Sequence, residues 1–199
     1  MSYFFTADLH LGHANILKYC NRPFPSIEEH DAGLISGINA YVEEKDFLYI
    51  VGDFSMPRGK DKFEKIKKYR DAILCRNIIL IMGNHDPHLD SGMPENKLYS
   101  IFPQIYVRLN LKVPTEDSEQ LIILDHYAGR VWNKSHYGSW MLYGHSHGSL
   151  PDDPNARSLD VGVDSAFARF GEYRPFSFAE IAKIMSEKTF VPVDHHRPK

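Results

Sequence analysis

Residues 77–88 read NIILIMGNHDPH, and an apolar run from Ile78 to Met82 stops at Gly83. An amide, an imidazole and a carboxylate follow at once, as Asn84, His85 and Asp86. The same abrupt change recurs at Asp8-Leu9-His10, Gly52-Asp53, Asp125-His126 and Gly144-His145-Ser146-His147, each behind another apolar run. Neutral imidazole, carboxylate and amide oxygen suit borderline first-row divalent cations: Mn, Fe, Co, Ni or Zn. Two such ions need about eight protein contacts, with positions left for water and substrate. Asp8, His10, Asp53, Asn84, His126, His145 and His147 supply them if one carboxylate is shared. Cys20 and Cys75 match no metal or redox spacing, which argues against a closed structural zinc site.

The spacing supports convergence. In Asp8-x-His10 and His145-x-His147, residues two apart on a strand-like segment face the same way. Gly52, Gly83 and Gly144 permit sharp turns and close backbone approach. His85 then stands beside a ligand without being needed as one. Asp86 either orients His85 or caps the turn. His13 and Asn15 follow the first pair by one short loop, where His13 could touch a substrate or cap a helix. Arg22, in NRPF, could clamp a phosphate oxygen bidentately or be an arginine held at the surface by prolines. Asp125 either adjusts the setting of His126 or points away from it. The aromatic stretch 127–138 is either a wall of the pocket or a packed loop.

These residues need elements to hold them. Ser2–Ala7, Asp46–Val51, Ile78–Met82, Ile105–Val113, Gln120–Leu124, Ser139–Tyr143 and Ser158–Val163 read as strands. Ala14–Cys20 and Asp61–Leu74 read as helices, the latter with Phe63, Ile66, Ile73 and Leu74 as its apolar members. Ser26-Ile-Glu-Glu29 and Ser177-Phe-Ala-Glu180 match capping boxes that open two more helices. Strands alternate with helices early and follow one another later. The expectation is a mixed α/β sandwich, with parallel βαβ units first and antiparallel strands after. In open α/β sheets ligands collect beyond the carboxyl ends of strands, where all five polar clusters fall.

Composition narrows the function. At 199 residues the chain fits a single domain over 1–199 with little length left for a cap or a second module. It is 43% hydrophobic and 25% charged, with a formal charge of −3, so nothing suggests a general binder of long nucleic acid or of membranes. The N-terminus lacks the basic region of a signal peptide and no stretch approaches a transmembrane length, so the expected location is cytoplasmic. The tail DHHRPK, with His195 and His196, is expected to fray and to do nothing.

D-x-H, G-D, G-N-H-D, a later H and G-H-x-H, in that order, resemble the calcineurin-like metallophosphoesterase superfamily from Ser2 to about Glu187. TADLHLGHANILKYCNRPF and the ending LDVGVD...YRPFSFAEI resemble a small bacterial and phage branch of it. The resemblance implies a four-layer αββα sandwich of mixed sheets with a dinuclear metal site at the strand C-terminal ends. It implies that Asp8, His10, Asp53 and His147 hold one ion, and that Asp53, Asn84, His126 and His145 hold the other. It further implies attack on phosphorus by a metal-bridging hydroxide, with Asn84 also touching substrate and His85 as general acid. The expected substrate is a small phosphodiester or phosphomonoester, diesters being favoured because a single negative charge needs no extra cationic clamp. The alternatives are a nucleotide phosphodiesterase or nuclease of the same superfamily, and a non-catalytic metal-binding scaffold.

Overall fold

The computed structural model describes residues 1–86 and 95–193. Strands β1 (Tyr3–Thr6), β2 (Phe47–Val51) and β3 (Asn77–Ile81) run parallel, in register. They read as unbroken apolar runs because both faces are buried. Phe4, Leu48, Ile50, Ile78 and Leu80 enter one core cluster, while the alternating Phe5, Tyr49, Val51, Ile79 and Ile81 enter the other. β4 (Gln104–Tyr106) extends this sheet in parallel beyond β3, and β9 (Phe176–Ser177) closes it antiparallel to β1. The second sheet has the order β5 (Arg108–Pro114), β6 (Glu119–Asp125), β7 (Trp140–Tyr143), β8 (Ser158–Asp160). Its Ile122, Leu124, Trp140, Leu142 and Leu159 meet the inner face of the first sheet, so two mixed sheets pack together.

The short helix α1 (Ile16–Tyr19) is followed by α2 (Ile27–Tyr41), α3 (Lys62–Ala72) and α4 (Glu95–Ile101), and these last three lie on the first sheet's other side. Ile16, Leu34, Ile38, Ile66, Leu98 and Ile101 are the buried apolar residues of the four. Leu74, expected on the apolar side of α3, is 64% exposed just past its end. Helices α5 (Val163–Phe170) and α6 (Phe178–Glu187) give Ala166, Ile181 and Met185 to the inter-sheet cluster. The Ser177 capping box forms in full, and at α2 Ser26 Oγ accepts from Glu29 N. Among the described residues no helix is long and apolar enough to cross a membrane.

Three expectations change. The run Ile105–Val113 is two strands in different sheets, divided at Val107, which is 77% exposed. Alternation shows that a segment is extended but not which partner it pairs with. The later strands are not all antiparallel: β5 and β6 form a hairpin, but β6, β7 and β8 run parallel. The segments between the parallel strands are long enough for a crossover, which needs about a dozen residues. Ser158–Val163 is a strand only to Asp160, and the chain then turns into α5, which no periodicity had marked. The tail 194–199 lies outside the described residues.

Candidate metal centre

The loops after β1, β2, β3, β6 and β7 are tied together through their backbones. Asp8 N donates to Gly52 O at 3.1 Å, His10 N to Asp53 O at 2.9 Å, and Gly144 N to His126 O at 3.1 Å. Asp86 fastens the loops after β2 and β3: its buried carboxylate accepts from Asp53 N (2.8 Å), Phe54 N (2.9 Å) and Gly83 N (2.8 Å). Both its oxygens are thus committed to backbone N–H groups. Asp86 caps the turn rather than orienting His85, which corrects its expected catalytic role.

Asp8, His10, Asp53, His145 and His147 all have positive φ, between 48° and 66°. Non-glycine residues rarely adopt this left-handed conformation, and it costs on the order of 1–3 kcal/mol each where the surroundings impose it. The two ligand pairs are therefore not strand-like extensions, as their spacing suggested. A tight turn at each ligand aims its side chain. The glycines answer to close approach: a Cβ on Gly52 would stand 2.1 Å from His126 Nδ1, and one on Gly83 would stand 2.2 Å from Asp53 Oδ1.

The seven predicted ligands converge. Ligand atoms of Asp8, His10 and His147 lie within 4.8 Å of one another, as do those of Asp8, Asp53 and His126. Asp53 Oδ2 stands 3.4 Å from His10 Nε2 and 3.5 Å from His126 Nε2. Asn84 Oδ1 is 2.9 Å from both His126 Nε2 and His145 Nδ1. Asp8 Oδ2 and His10 Nε2 are buried with no hydrogen-bond partner among the described residues. Two orphaned lone pairs of this kind, in a cluster of oxygen and imidazole donors, fit divalent cations.

The charge balance points the same way. Burial drives the Asp8 carboxyl well above the usual carboxylate range, against the pull of His147. Burial also pushes His10 down to about 2, helped by His147 and Arg22, and lowers His145. Asp160 is raised by burial although it accepts from Gly148 N and Gly162 N. Cations at the centre would favour the ionised carboxylates and the neutral, ligating imidazoles.

A second layer orients the imidazoles. His126 Nδ1 is 3.0 Å from Val51 O, leaving Nε2 for the centre. His147 Nδ1 is 2.8 Å from Asp164 Oδ2. Burial pulls His147 down, but hydrogen bonds to Asp164 and Cys20 with the charge of Asp8 outweigh it, raising it to about 10. Asp125 turns away, accepting from Tyr127 N at 3.0 Å and pairing with Arg108 on β5.

Arg22 belongs to this layer, which corrects its expected role as a substrate clamp. Its Nε and Nη2 grip Asp164 at 2.9 and 2.7 Å, and Nη2 also donates to Asp8 O at 2.7 Å. Nη1 donates to Leu9 O at 3.1 Å and to His30 Nε2 at 2.9 Å. All five guanidinium N–H groups are consumed inside the protein. His30 Nδ1 in turn meets Asp31, whose carboxylate accepts from Gly12 N. Asp164, His30 and Asp31 escaped the sequence reading. For Asp164 the only signal was its place, with Asp160, as one of two carboxylates among the apolar residues of LDVGVD.

Above the cluster opens a cleft of about 560 Å³, lined by His13, Ile16, Tyr19, Met56, Arg58 and His85 beside the ligands. His13 lies in its lining, with Nδ1 3.4 Å from His10 Nδ1. Burial lowers its pKa, helped by His85 and Arg58. His85 is exposed, its ring centroid 5.2 Å from that of His10, while its backbone N donates to Asp53 Oδ1 at 2.8 Å. Arg58, not singled out from sequence, is exposed at the rim. From the loop 127–138, Tyr127 reaches the centre, its ring 4.6 Å from that of His145. Trp132 instead bonds Ser139, away from the cleft.

A two-sheet α/β sandwich with a carboxylate–imidazole–amide cluster at converging strand ends is the architecture of a metal-dependent phosphoesterase. The chain belongs to the calcineurin-like phosphoesterase family, whose model matches residues 1–161. An uncharacterized protein of Methanocaldococcus jannaschii is 30% identical over 188 residues, spanning 91% of this chain and 89% of that protein. The gene 66 protein of Mycobacterium phage L5 is 26% identical over 180 residues, spanning 81% of this chain and 86% of the phage protein. The crystal structure of a protein of unknown function from Aquifex aeolicus shares the fold, with a TM-score of 0.62 and 20% identity. That match covers 92% of this chain and 98% of the other.

Proposed function

We propose that the protein hydrolyses a small phosphodiester or phosphomonoester with two divalent transition-metal ions. Asp8, His10, Asp53 and His147 would hold one ion; Asp53, Asn84, His126 and His145 would hold the other. The observation that carries this reading is the position of Asp53, whose Oδ2 lies within 3.5 Å of an imidazole nitrogen from each set. When bound, such ions neutralise charge at phosphorus and lower the pKa of the attacking water, to about 7 at a single zinc.

The chain's own side chains do the rest. Asn84 turns Oδ1 to the imidazoles and keeps its amide N–H groups for a phosphoryl oxygen. His85 holds a proton at the open mouth of the cleft and delivers it to the leaving alkoxide, help typically worth ~10²–10⁴-fold. Ile16, Tyr19 and Met56 form an apolar flank that limits water around the ester group. Arg58 is the cation at the cleft rim. A diester, with one charge at phosphorus, is the better artificial substrate.

The test is metal analysis of Mn-loaded protein, followed by hydrolysis of a nitrophenyl diester and the matching monoester with Mn²⁺, Ni²⁺ and Zn²⁺ in turn. About two ions per chain and faster diester cleavage are expected. A ceiling of one ion per chain sinks the shared Asp53. A clear monoester preference reverses the substrate order and makes Arg58 its clamp. No turnover of either ester with both ions bound returns the scaffold reading.

A further inference from the structure

On the outer face of β7 lies a second cavity, of about 450 Å³, that shares no lining residue with the metal cleft. Tyr143 is part of its lining, on the face of β7 opposite the core residue Leu142. Trp132, Phe190, Arg130, Arg157 and Asp153 supply much of the rest. Its volume falls within the range of small-ligand sites, roughly 300–1,000 Å³. The segment 188–193 holds it closed on one side: Val191 N donates to Asn155 O at 3.0 Å, and Lys188 Nζ to Asp152 and Ser158 O, both at 2.5 Å.

The polar groups on these walls are unequally satisfied. The Trp132 indole N–H is used by Ser139 O and Oγ, both at 3.1 Å. Asp153 Oδ1 accepts from Asn155 N at 2.8 Å. Arg157 differs: its guanidinium carbon stands 5.1 Å from the Phe190 ring centroid, and its Nε is buried with no hydrogen-bond partner among the described residues. A buried donor left without a partner is destabilising, and more so on a charged group. Arginine cannot shed its charge to escape that cost. This fixed charge among the lining residues would be complemented by an anionic group, and the aromatic walls offer apolar surface beside it.

We propose that this cavity is a second ligand site, shaped for a small monoanion with an aromatic or acyl body. Arg157 and Arg130 take the charged end, while Trp132, Tyr143 and Phe190 flank the body. The site lies behind segments that carry candidate metal ligands. Tyr143 precedes His145 by two residues, Ala128 follows His126 by two, and both line the cavity.

The full-length chain, Mn-loaded and chelator-treated in parallel, is titrated with anilinonaphthalenesulfonate, a fluorescent aromatic monoanion. One saturable site per chain is expected, with the same affinity in both metal states. The uncharged phenylnaphthylamine, lacking the sulfonate, binds about tenfold more weakly or worse, the loss expected for one charge-assisted hydrogen bond. Arg157→Gln gives a similar loss. Ala156→Phe fills the cavity from a half-buried position and abolishes binding, which decides the matter if Arg157→Gln does not fold. Native affinity in either folded variant overturns the proposal, as does equal binding of the neutral probe or absence of a saturable site. Binding that follows metal loading places the probe in the cleft and overturns it too.

Discussion

Asp164 Oδ2 lies 2.8 Å from His147 Nδ1, at the first turn of α5, and thereby holds that imidazole with its other nitrogen free for the metal centre. A carboxylate behind a ligating histidine fixes the ring and raises its basicity. Asp164→Asn keeps the shape and loses the charge. Metal affinity should fall about 10-fold or more, the lower range seen for such outer partners. A competitive chelator titration measures it, and a curve that overlays the native one removes the orienting role.

Arg22 and Arg58 should separate cleanly. Arg22→Gln leaves Asp164, two carbonyls and His30 without their buried partner, a loss of about 3–5 kcal/mol that shows as a Tm drop on the order of 10 °C. Arg58→Gln, at an exposed position, should leave stability within about 0.5 kcal/mol. Its effect should be a raised KM, larger for a monoester dianion than for a diester. Thermal melts with steady-state kinetics decide. An Arg22 variant that melts normally but binds substrate poorly would restore the clamp to Arg22.

His85→Ala should keep its metal and lose ~10²–10⁴-fold in turnover on an alkyl ester, with a smaller loss on a nitrophenyl ester that needs little protonation of the leaving group. Its side chain is exposed, and its tie to the centre is a backbone N–H to Asp53 Oδ1, which the substitution preserves. Metal content and leaving-group dependence are the two readouts. A variant that empties the site is the outcome that makes His85 a ligand.

Glu180 joins Arg174 to the α6 cap through Arg174 Nη2 at 2.7 Å and Ser177 N at 2.9 Å. Burial raises its pKa, but the bonds from Arg174 and Ser177 outweigh that and hold it below the usual glutamate value. A lowered folded pKa means stability that is present above the unfolded pKa, near 4.3, and lost as pH falls through the folded one. Glu180→Gln should therefore lower Tm by about 2–4 °C at pH 7, a loss near 1 kcal/mol in a chain of this size. The gap to the native chain should close as pH drops below about 4. Melting curves at both pH values check it, and a gap that widens in acid reverses the sign.

Much of the centre was legible in the chain. A strand buried on both faces must be apolar throughout, so Ile78–Ile81 and Leu48–Val51 announce themselves, and polar residues behind them mark where burial ends. Side-chain chemistry then restricts what Asp8, His10, Asp53, Asn84, His126, His145 and His147 can bind together. The capping box at Ser177 was equally plain, because its two hydrogen bonds span three residues. Such features depend on neighbours in sequence, and sequence carries them.

Only the tertiary structure decided between two arginines with the same chemistry. Arg22 is internal because Asp164, 142 positions away, takes its guanidinium, and no local pattern foreshadows a pairing at that range. The division of Ile105–Val113 between two sheets, and the parallel run of β6, β7 and β8, likewise rest on which strands meet. The left-handed turns at five ligands have the same origin. Asp8 and His10 are held there by backbone bonds to Gly52 and Asp53, and Asp53 by its N–H to Asp86. A strained φ persists only where distant contacts outweigh its cost, so the sequence names these ligands while the packing of the loops aims them.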